Sequence, residues 1–538
     1  MTGPRRRAGA CVPGRAVVTG VPSTLLDPID HWARHRPRHP AIVTGSDRLD
    51  YGQLAAAVER TAGALRARDV EPGERVAIMA DNHPAVLVTA LALWRLGAVF
   101  VPLNTRLTTA EHEFQIRHCG AALAVGLAGR LDHLRRAAAG VPVVELAAVA
   151  GPDADAGDTT PIPRSCPDDP SRSVTGWRPA AGAADALLVY TSGTTGRPKG
   201  AVHSHQGLAA TIANGVAAHD LSAADVGIAF LPLFHVGGLN IQVLPLLAVG
   251  ATVVLHERFD PGLVLDDIAR HRATVSLFVP ATMRAMLDHP DFGPAPLASL
   301  RGIMAGSSIV PDDLLRGFID AGVPTGQVYG STETGPTSIV LRFDDAHRVG
   351  SCGRPALHAR ARLDADGQIL VAGPHLFIGY WDDPEATRAA FDDGWYRTGD
   401  VGRCDAEGWF HVIDRLGDVI ISGGENVYPA EVEAVLAAAP GVAEIAVVGG
   451  PDERWGEVPV AVAVAEPGAT LDLEVLRRFG GRRLARFKLP HRLHVVDDLP
   501  RTALGKVQKF ELTRRLERAS EHWPSGPVGP VPPPGRRR

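Results

Sequence analysis

The chain has 538 residues, a formal net charge of −5, nearly half hydrophobic residues and few aromatics. That length exceeds what one compact core accommodates, so two or more domains are expected. The small net charge gives no reason to expect a nucleic-acid partner. Five scattered cysteines (Cys11, Cys119, Cys166, Cys352, Cys404) without a CxxC pair argue against a zinc site or disulfide framework and suit a reducing cytoplasm.

Residues 1–22 contain Arg5-Arg6-Arg7, but Ala16-Val17-Val18 is too short for a signal-peptide core, and the segment reads as a disordered extension. Tyr51–Arg68 has helical apolar spacing, Arg75–Ala80 reads as a strand, Pro84–Leu96 as a helix ended by Gly97, and Ala98–Val101 as a strand stopping at Pro102. This alternation predicts an α/β fold with largely parallel sheets flanked by helices. Residues 152–179, rich in Asp, Pro, Ser and Thr, read as an exposed connector. The longest charge-free run, Phe230–His256, is interrupted by Pro232, His235, Asn240, Gln242 and Pro245. It therefore reads as buried core and not as a membrane span. Near the end, Pro429 opens a helix through Ala438 with Gly441 beyond it. Strands over Glu444–Gly449 and Val458–Val464, with a last segment Leu484–Leu516, complete a small α+β domain, and the Pro/Gly-rich end from Pro524 to Arg538 reads as a tail.

The stretch Tyr190-Thr-Ser-Gly-Thr-Thr-Gly-Arg-Pro-Lys-Gly200 lies between the strand-like runs Ala186–Tyr190 and Ala201–His203. Thr191, Ser192, Gly193, Thr194, Thr195 and Gly196 make a tight loop in which glycine permits close backbone approach and left-handed φ. Backbone N–H groups and hydroxyls can converge there on an anion, and Lys199 adds a mobile cation. The ligand that suits this is a polyphosphate. A single such cluster is more commonly a plain surface turn, and no Gly-Lys-Ser/Thr closes it as a Walker A loop.

This loop resembles the signature of the adenylate-forming (ANL) superfamily, which holds acyl- and aryl-CoA synthetases, luciferases and peptide-synthetase adenylation domains. Further stretches in family order strengthen the likeness: Phe230-Leu-Pro-Leu-Phe-His-Val-Gly-Gly238, Gly326-Gln-Val-Tyr-Gly-Ser-Thr-Glu-Thr-Gly335, Gly394-Trp-Tyr-Arg-Thr-Gly-Asp400, the run Asp414–Pro429 and Pro500-Arg-Thr-Ala-Leu-Gly-Lys506. The resemblance covers about residues 23–516. It implies an acyl pocket around His235, Val236, Gly237, Gly238, Gly306 and Gly330. His235 stands where peptide-synthetase domains carry an amino-binding Asp, which counts against an α-amino acid. It implies nucleotide contacts from Gly306, Ser307, Ser308, Tyr329 (adenine stacking), Gly330, Ser331, Thr332 (α-phosphate), Asp400 and Arg415 (ribose). Gly306-Ser307-Ser308 departs mildly from the usual Gly-Gly-Ala. Glu333 would hold magnesium, for which a carboxylate is suitable chemistry, and Lys506 would be the catalytic lysine. Gly423, Gly424 and Glu425 would meet the pantetheine arm of CoA. Taken singly, His235, Glu333 and Lys506 each have a commoner bland reading, as a core histidine, a solvated acid and a surface lysine.

The implied protein is an AMP-forming carboxylic acid–CoA ligase using ATP, Mg2+ and CoA. A large domain over 23–414, a hinge at 415–417 pivoting on Gly417, a small domain over 418–516 and a tail over 517–538 follow from the same likeness. The acid is a medium- or long-chain fatty acid or an aryl or cinnamyl acid. Two other readings stay open: an acyl-AMP ligase loading a separate carrier protein, and a non-enzymatic nucleotide-binding relic, the latter disfavoured by the full set Glu333, Asp400, Arg415 and Lys506. No carrier domain with a phosphopantetheine serine follows, which reads against a complete peptide-synthetase module. The expected location is the cytoplasm, without a transmembrane segment; a homodimer is compatible with the sequence.

Overall fold

The computed structural model describes residues 25–138, 140–150, 184–191, 198–306, 310–422, 425–452, 455–501 and 505–520. The expected extension over 1–22 and the connector over 152–179 lie outside the described residues.

The helix Pro84–Leu96 shows how local sequence sets the architecture. His83 in extended conformation accepts from Ala85 N–H, Pro84 occupies the first turn, and Gly97 closes the helix at φ 74°. Nearly every side chain between is apolar and buried, so the helix has no solvent face. It lies between two sheets. Its core includes Val76, Phe100, Leu123 and Leu187 from one and Ile42, Ala229, Val253 and Val275 from the other. At about 1.5–3 kcal/mol for each large apolar side chain fully buried, this layer is the main cohesive element of the large domain.

The first sheet has seven strands in the order Gly379–Tyr380, Lys199–Ser204, Asp185–Thr191, Val99–Leu103, Arg75–Met79, Leu123–Gly126 and Val143–Glu145. Its last five strands are mutually parallel. The second sheet has nine strands, with a parallel centre from Pro40–Thr44 through Thr252–Leu255, Val226–Ala229, Val275–Phe278 and Gly302–Gly306 to Thr325–Tyr329. The strand expected to stop at Pro102 runs on to Leu103. Its pairing with Asp185–Thr191 is registered at Phe100–Leu187 alone, so the missing Pro102 N–H breaks no ladder on that side.

A third sheet, wholly antiparallel, joins Arg360–Leu363, Gln368–Ala372, Trp395–Cys404, Phe391–Asp392 and Phe410–Arg415. The expectation of largely parallel sheets misses it. The smaller C-terminal domain has its own sheet from Glu425–Val427, Ile420–Ser422, Gly456–Ala465 and Val442–Asp452, with Arg492–Val495 added in parallel. Its last helix, Lys509–Ser520, carries on past 516, where the sequence reading begins a tail; Leu512 is buried and Glu511 pairs with Arg515 one turn on. Among the described residues no helix is long and apolar enough to cross a membrane.

Candidate active site

The site grows from strand ends. Asp185–Thr191 and Lys199–Ser204 form an antiparallel pair in which Thr191 faces Lys199 and Tyr190 faces Gly200. Ser192, Gly193, Thr194, Thr195 and Gly196 between them lie outside the described residues. Tyr190 Oη donates to Gln115 O at 3.0 Å and meets His118 Nδ1 at 2.9 Å, which ties the loop's base to the helix Thr109–His118. The ammonium of Lys199 lies 5.0 Å from the ring centre of Tyr380.

Strand Thr325–Tyr329 delivers the next group. After it, Gly330 makes a close turn where any Cβ would fall 1.9 Å from Pro336 O, and Thr332–Thr334 forms one 3-10 turn. Ser331 N–H donates to Thr334 Oγ1 at 2.8 Å. Glu333 on that turn is 9% exposed and accepts from Tyr380 Oη at 3.0 Å. Gly306 ends the neighbouring strand where a Cβ would meet Val328 O at 2.8 Å, and Ser307 and Ser308 lie outside the described residues.

Asp400 and Arg415 are cross-strand partners in the third sheet. Arg415 Nε donates to Asp400 Oδ1 at 2.9 Å, and Tyr329 Oη donates to Asp400 Oδ2 at 2.8 Å. Asp400 holds the guanidinium of Arg415 above its ordinary range, and burial first, then Asp400, pushes the Tyr329 phenol well up. Lys506 comes from the small domain. Gly505, at φ 81°, places it where a Cβ on Gly505 would lie 3.3 Å from Ala281 of the large domain. Its side chain keeps access to solvent. Partial desolvation, then the charge of Arg415, pulls its ammonium below the usual lysine range, while Asp400 and Asp418 pull the other way. Tyr329, Asp400, Arg415 and Lys506, far apart in sequence, thus form one charged cluster.

His235 precedes an element that periodicity does not reveal, a π-helix over Gly237–Val243. Such segments are rare and concentrate at functional sites. Gly238 packs where a Cβ would be 2.5 Å from Pro232 O, whereas a Cβ on Gly237 would meet nothing within 4 Å. Val236 is buried. Burial, with a smaller push from Arg106, takes the His235 imidazole down to about 4, so it is neutral at pH 7. Sequence reasoning passes over Asn82, which holds this segment in place: Nδ2 donates to Leu231 O at 3.0 Å and His256 O at 3.1 Å, and Oδ1 accepts from Leu233 N at 2.8 Å. Nothing in its local sequence singles it out.

Gly417 sits in the turn closed by Asp418 N–H on Arg415 O at 3.0 Å. It has no left-handed φ, and a Cβ there would meet nothing within 4 Å. Just before it, Asp414 Oδ2 accepts from Ala430 N–H at 2.8 Å in the first turn of the small domain's helix Pro429–Leu436. Gly423 and Gly424 lie outside the described residues, and Glu425 opens the strand Glu425–Val427.

The AMP-binding enzyme family model matches residues 29–381, and the AMP-binding enzyme C-terminal domain matches residues 431–506. The chain belongs to the AMP-binding enzyme family. Among curated relatives of this adenylate-forming enzyme, an indoleacetate–CoA ligase of Aromatoleum aromaticum is 44% identical over 510 residues, covering 92% of this chain and 98% of that one. A feruloyl-CoA synthase of an Amycolatopsis species is 41% identical over 496 residues, covering 90% and 97%. Other relatives are named for different acids, a long-chain fatty acid among them. Of solved structures, o-succinylbenzoate CoA synthetase of Bacillus subtilis in complex with ATP and magnesium matches with TM-score 0.78 at 31% identity, over 90% of this chain and 99% of that one. The family member described here is an enzyme, a CoA ligase with ATP and CoA as its co-substrates.

Proposed function

We propose that this CoA ligase activates an aryl-bearing carboxylic acid, of the arylacetic or cinnamic type, in two steps. A carboxylate oxygen attacks the α-phosphorus of ATP and pyrophosphate leaves; the CoA thiolate then attacks the acyl carbon and AMP leaves. The observation that carries the reading is the bonded network Tyr329–Asp400–Arg415 of the large domain, whose charges act on Lys506 from the small one. The aryl assignment draws on the relatives named for indoleacetate and ferulate.

Asp400 engages one partner on each oxygen, Tyr329 and Arg415, and keeps further lone pairs for two ribose hydroxyls. Tyr329 offers its ring to the adenine. Thr332 and Lys506 address the α-phosphate, where a cation acts as charge redistributes in the transition state. Neutral His235 can donate an N–H to the substrate carboxylate without a full positive charge that would blunt its nucleophilicity. Gly237, with open space at its Cβ, leaves room for the acyl group.

Glu333 suits magnesium, being a nearly buried all-oxygen donor with no cluster of three metal-binding side chains among the described residues. That is the site type in which one carboxylate and the nucleotide's own phosphates share the ion. Bound there, the ion would neutralise phosphate charge. Gly423, Gly424 and Glu425 are assigned to the CoA arm, the large domain to 23–414, the pivot to Gly417 and the small domain to the residues after it. The cysteine pattern supports a cytoplasmic setting. A pyrophosphate-release screen over aryl, cinnamyl and fatty acids, with CoA or a carrier protein as acceptor, tests the reading. Release with aryl acids that yields aryl-CoA supports it; turnover with fatty acids alone, or transfer to the carrier alone, refutes it.

A further inference from the structure

The short segment Phe377–Trp381 is bound on both sides to parts of the site. On one side, Phe377 N–H donates to Glu333 O at 2.8 Å and Tyr380 Oη donates to Glu333 Oε1 at 3.0 Å. On the other, Ile378 N–H donates to Val202 O and Trp381 N–H to Gly200 O, each at 2.7 Å, with Tyr380 registered against Ala201. Both of those acceptors lie on the strand that begins with Lys199, whose ammonium sits over the Tyr380 ring. The segment is anchored from outside as well: Tyr380 N–H donates to Thr387 Oγ1 at 2.9 Å and Trp381 Nε1 to His118 O at 3.0 Å.

A half-buried tyrosine favours a partner for its hydroxyl, and packing alone would explain the ring, which meets Phe377 edge-on at 5.0 Å. Packing does not explain the choice of partner. The hydroxyl donates to the side-chain oxygen of the one carboxylate assigned to magnesium, and also meets the hydroxyl of Tyr396. The same ring takes the lysine of the phosphate loop. One side chain therefore touches both the cation and the carboxylate assigned to the triphosphate and its ion.

We propose that Tyr380 is a positioning residue for the magnesium–triphosphate complex: its hydroxyl orients the Glu333 carboxylate toward the ion, and its ring steadies Lys199. This rests on the assignment of Glu333 to magnesium. A group that hydrogen-bonds a ligating carboxylate sets its orientation, and losing such a group typically costs tenfold or more in metal affinity.

The test uses the full chain and equilibrium binding. Calorimetric ATP titrations at graded Mg2+ are run on the wild type, Tyr380→Phe, Tyr380→Leu and Glu333→Gln, with thermal unfolding of each. Tyr380→Phe keeps the ring and loses the hydroxyl, with its bonds to Glu333 and Tyr396. It should raise the Mg2+ concentration for half-maximal ATP binding about tenfold, and leave both metal-free ATP affinity and the KM for the acid unchanged. Tyr380→Leu should in addition weaken metal-free ATP binding, since Lys199 loses its ring. Glu333→Gln should shift the Mg2+ dependence at least as far as Tyr380→Phe. If Glu333→Gln shifts it and Tyr380→Phe does not, the positioning role is overturned while the metal assignment survives. If Glu333→Gln does not shift it, both fall. If Tyr380→Phe weakens ATP binding equally with and without Mg2+, the residue is merely structural and the proposal is overturned.

Discussion

Tyr329 and Asp400 are joined by a 2.8 Å hydrogen bond between phenol and carboxylate, made across two different sheets. The residue assigned to the adenine face thus also fixes the carboxylate assigned to the ribose. Tyr329→Phe keeps the ring and loses the tether. A hydrogen bond to a charged group contributes about 1.5–3 kcal/mol, so the KM for ATP should rise roughly tenfold or more by that principle. The KM for the acid should hold in the same steady-state assay. An unchanged ATP KM would mean that Arg415 alone suffices to place Asp400.

Lys506 lies within the electrostatic influence of Arg415 and Asp400 in the orientation described here. Lys506→Ala should slow acyl-AMP formation by about two orders of magnitude or more, as expected for loss of an electrostatic group at the transition state. It should spare CoA-dependent consumption of supplied acyl-AMP. Rapid-quench measurement of each half-reaction separates the two, and equal losses would show that Lys506 serves both steps.

Acid should destabilise this protein earlier than carboxylate titration alone would. His203, His205, His219 and His375 are buried, and desolvation takes His203, His205 and His375 to about 4 and His219 to about 3. Between those values and about 6.5 the unfolded chain binds protons that the native state refuses. Stability is therefore complete above about pH 6.5 and falls as pH drops toward 4, by about 1.4 kcal/mol per pH unit for each imidazole involved. Denaturant midpoints from pH 7.5 to 4.5 should fall monotonically, and His219→Phe should flatten the slope. A flat profile above pH 5 would contradict the burial of these rings as neutral groups.

Gly417 needs to be glycine for nothing visible in this orientation: its φ is not left-handed and its Cβ position is open. If it pivots the small domain, its freedom is used elsewhere in the cycle. Gly417→Ala should leave adenylation within about twofold, because a methyl group meets no atom. Gly417→Pro fixes φ near −65° and should keep one half-reaction, adenylation, while losing most of thioester formation. Near-normal overall turnover of the proline variant would move the pivot to another residue.

Much of this was readable in the residues, and the gaps have physical causes. Pro84–Leu96 is legible because its cap, its proline and its terminal glycine all agree with the apolar run between them. The third sheet is missed although turn signals are present: Asp393 and Gly394, both at positive φ, close the hairpin between Asp392 and Trp395. The π-helix after His235 escapes because no 3.6-residue period describes it. Tyr329, Asp400, Arg415 and Lys506 were nameable from their motifs, but their mutual bonds were not. Pairing of Asp400 with Arg415 depends on strand register, and the approach of Tyr329 depends on how two sheets meet. The bonds of Tyr380 escape the sequence for the same reason, since its partners Glu333 and Lys199 lie in other motifs.

The proposed reaction joins an aryl-bearing acid to CoA through an adenylate. The most direct measurement incubates the enzyme with ATP, Mg2+, CoA and a set of arylacetic, cinnamic, fatty and amino acids, and quantifies AMP, pyrophosphate and thioester together by mass spectrometry. AMP, pyrophosphate and aryl-CoA are expected in equal amounts, with negligible product from free amino acids. Formation of ADP, or adenylation of amino acids in place of aryl acids, would contradict the proposed reaction.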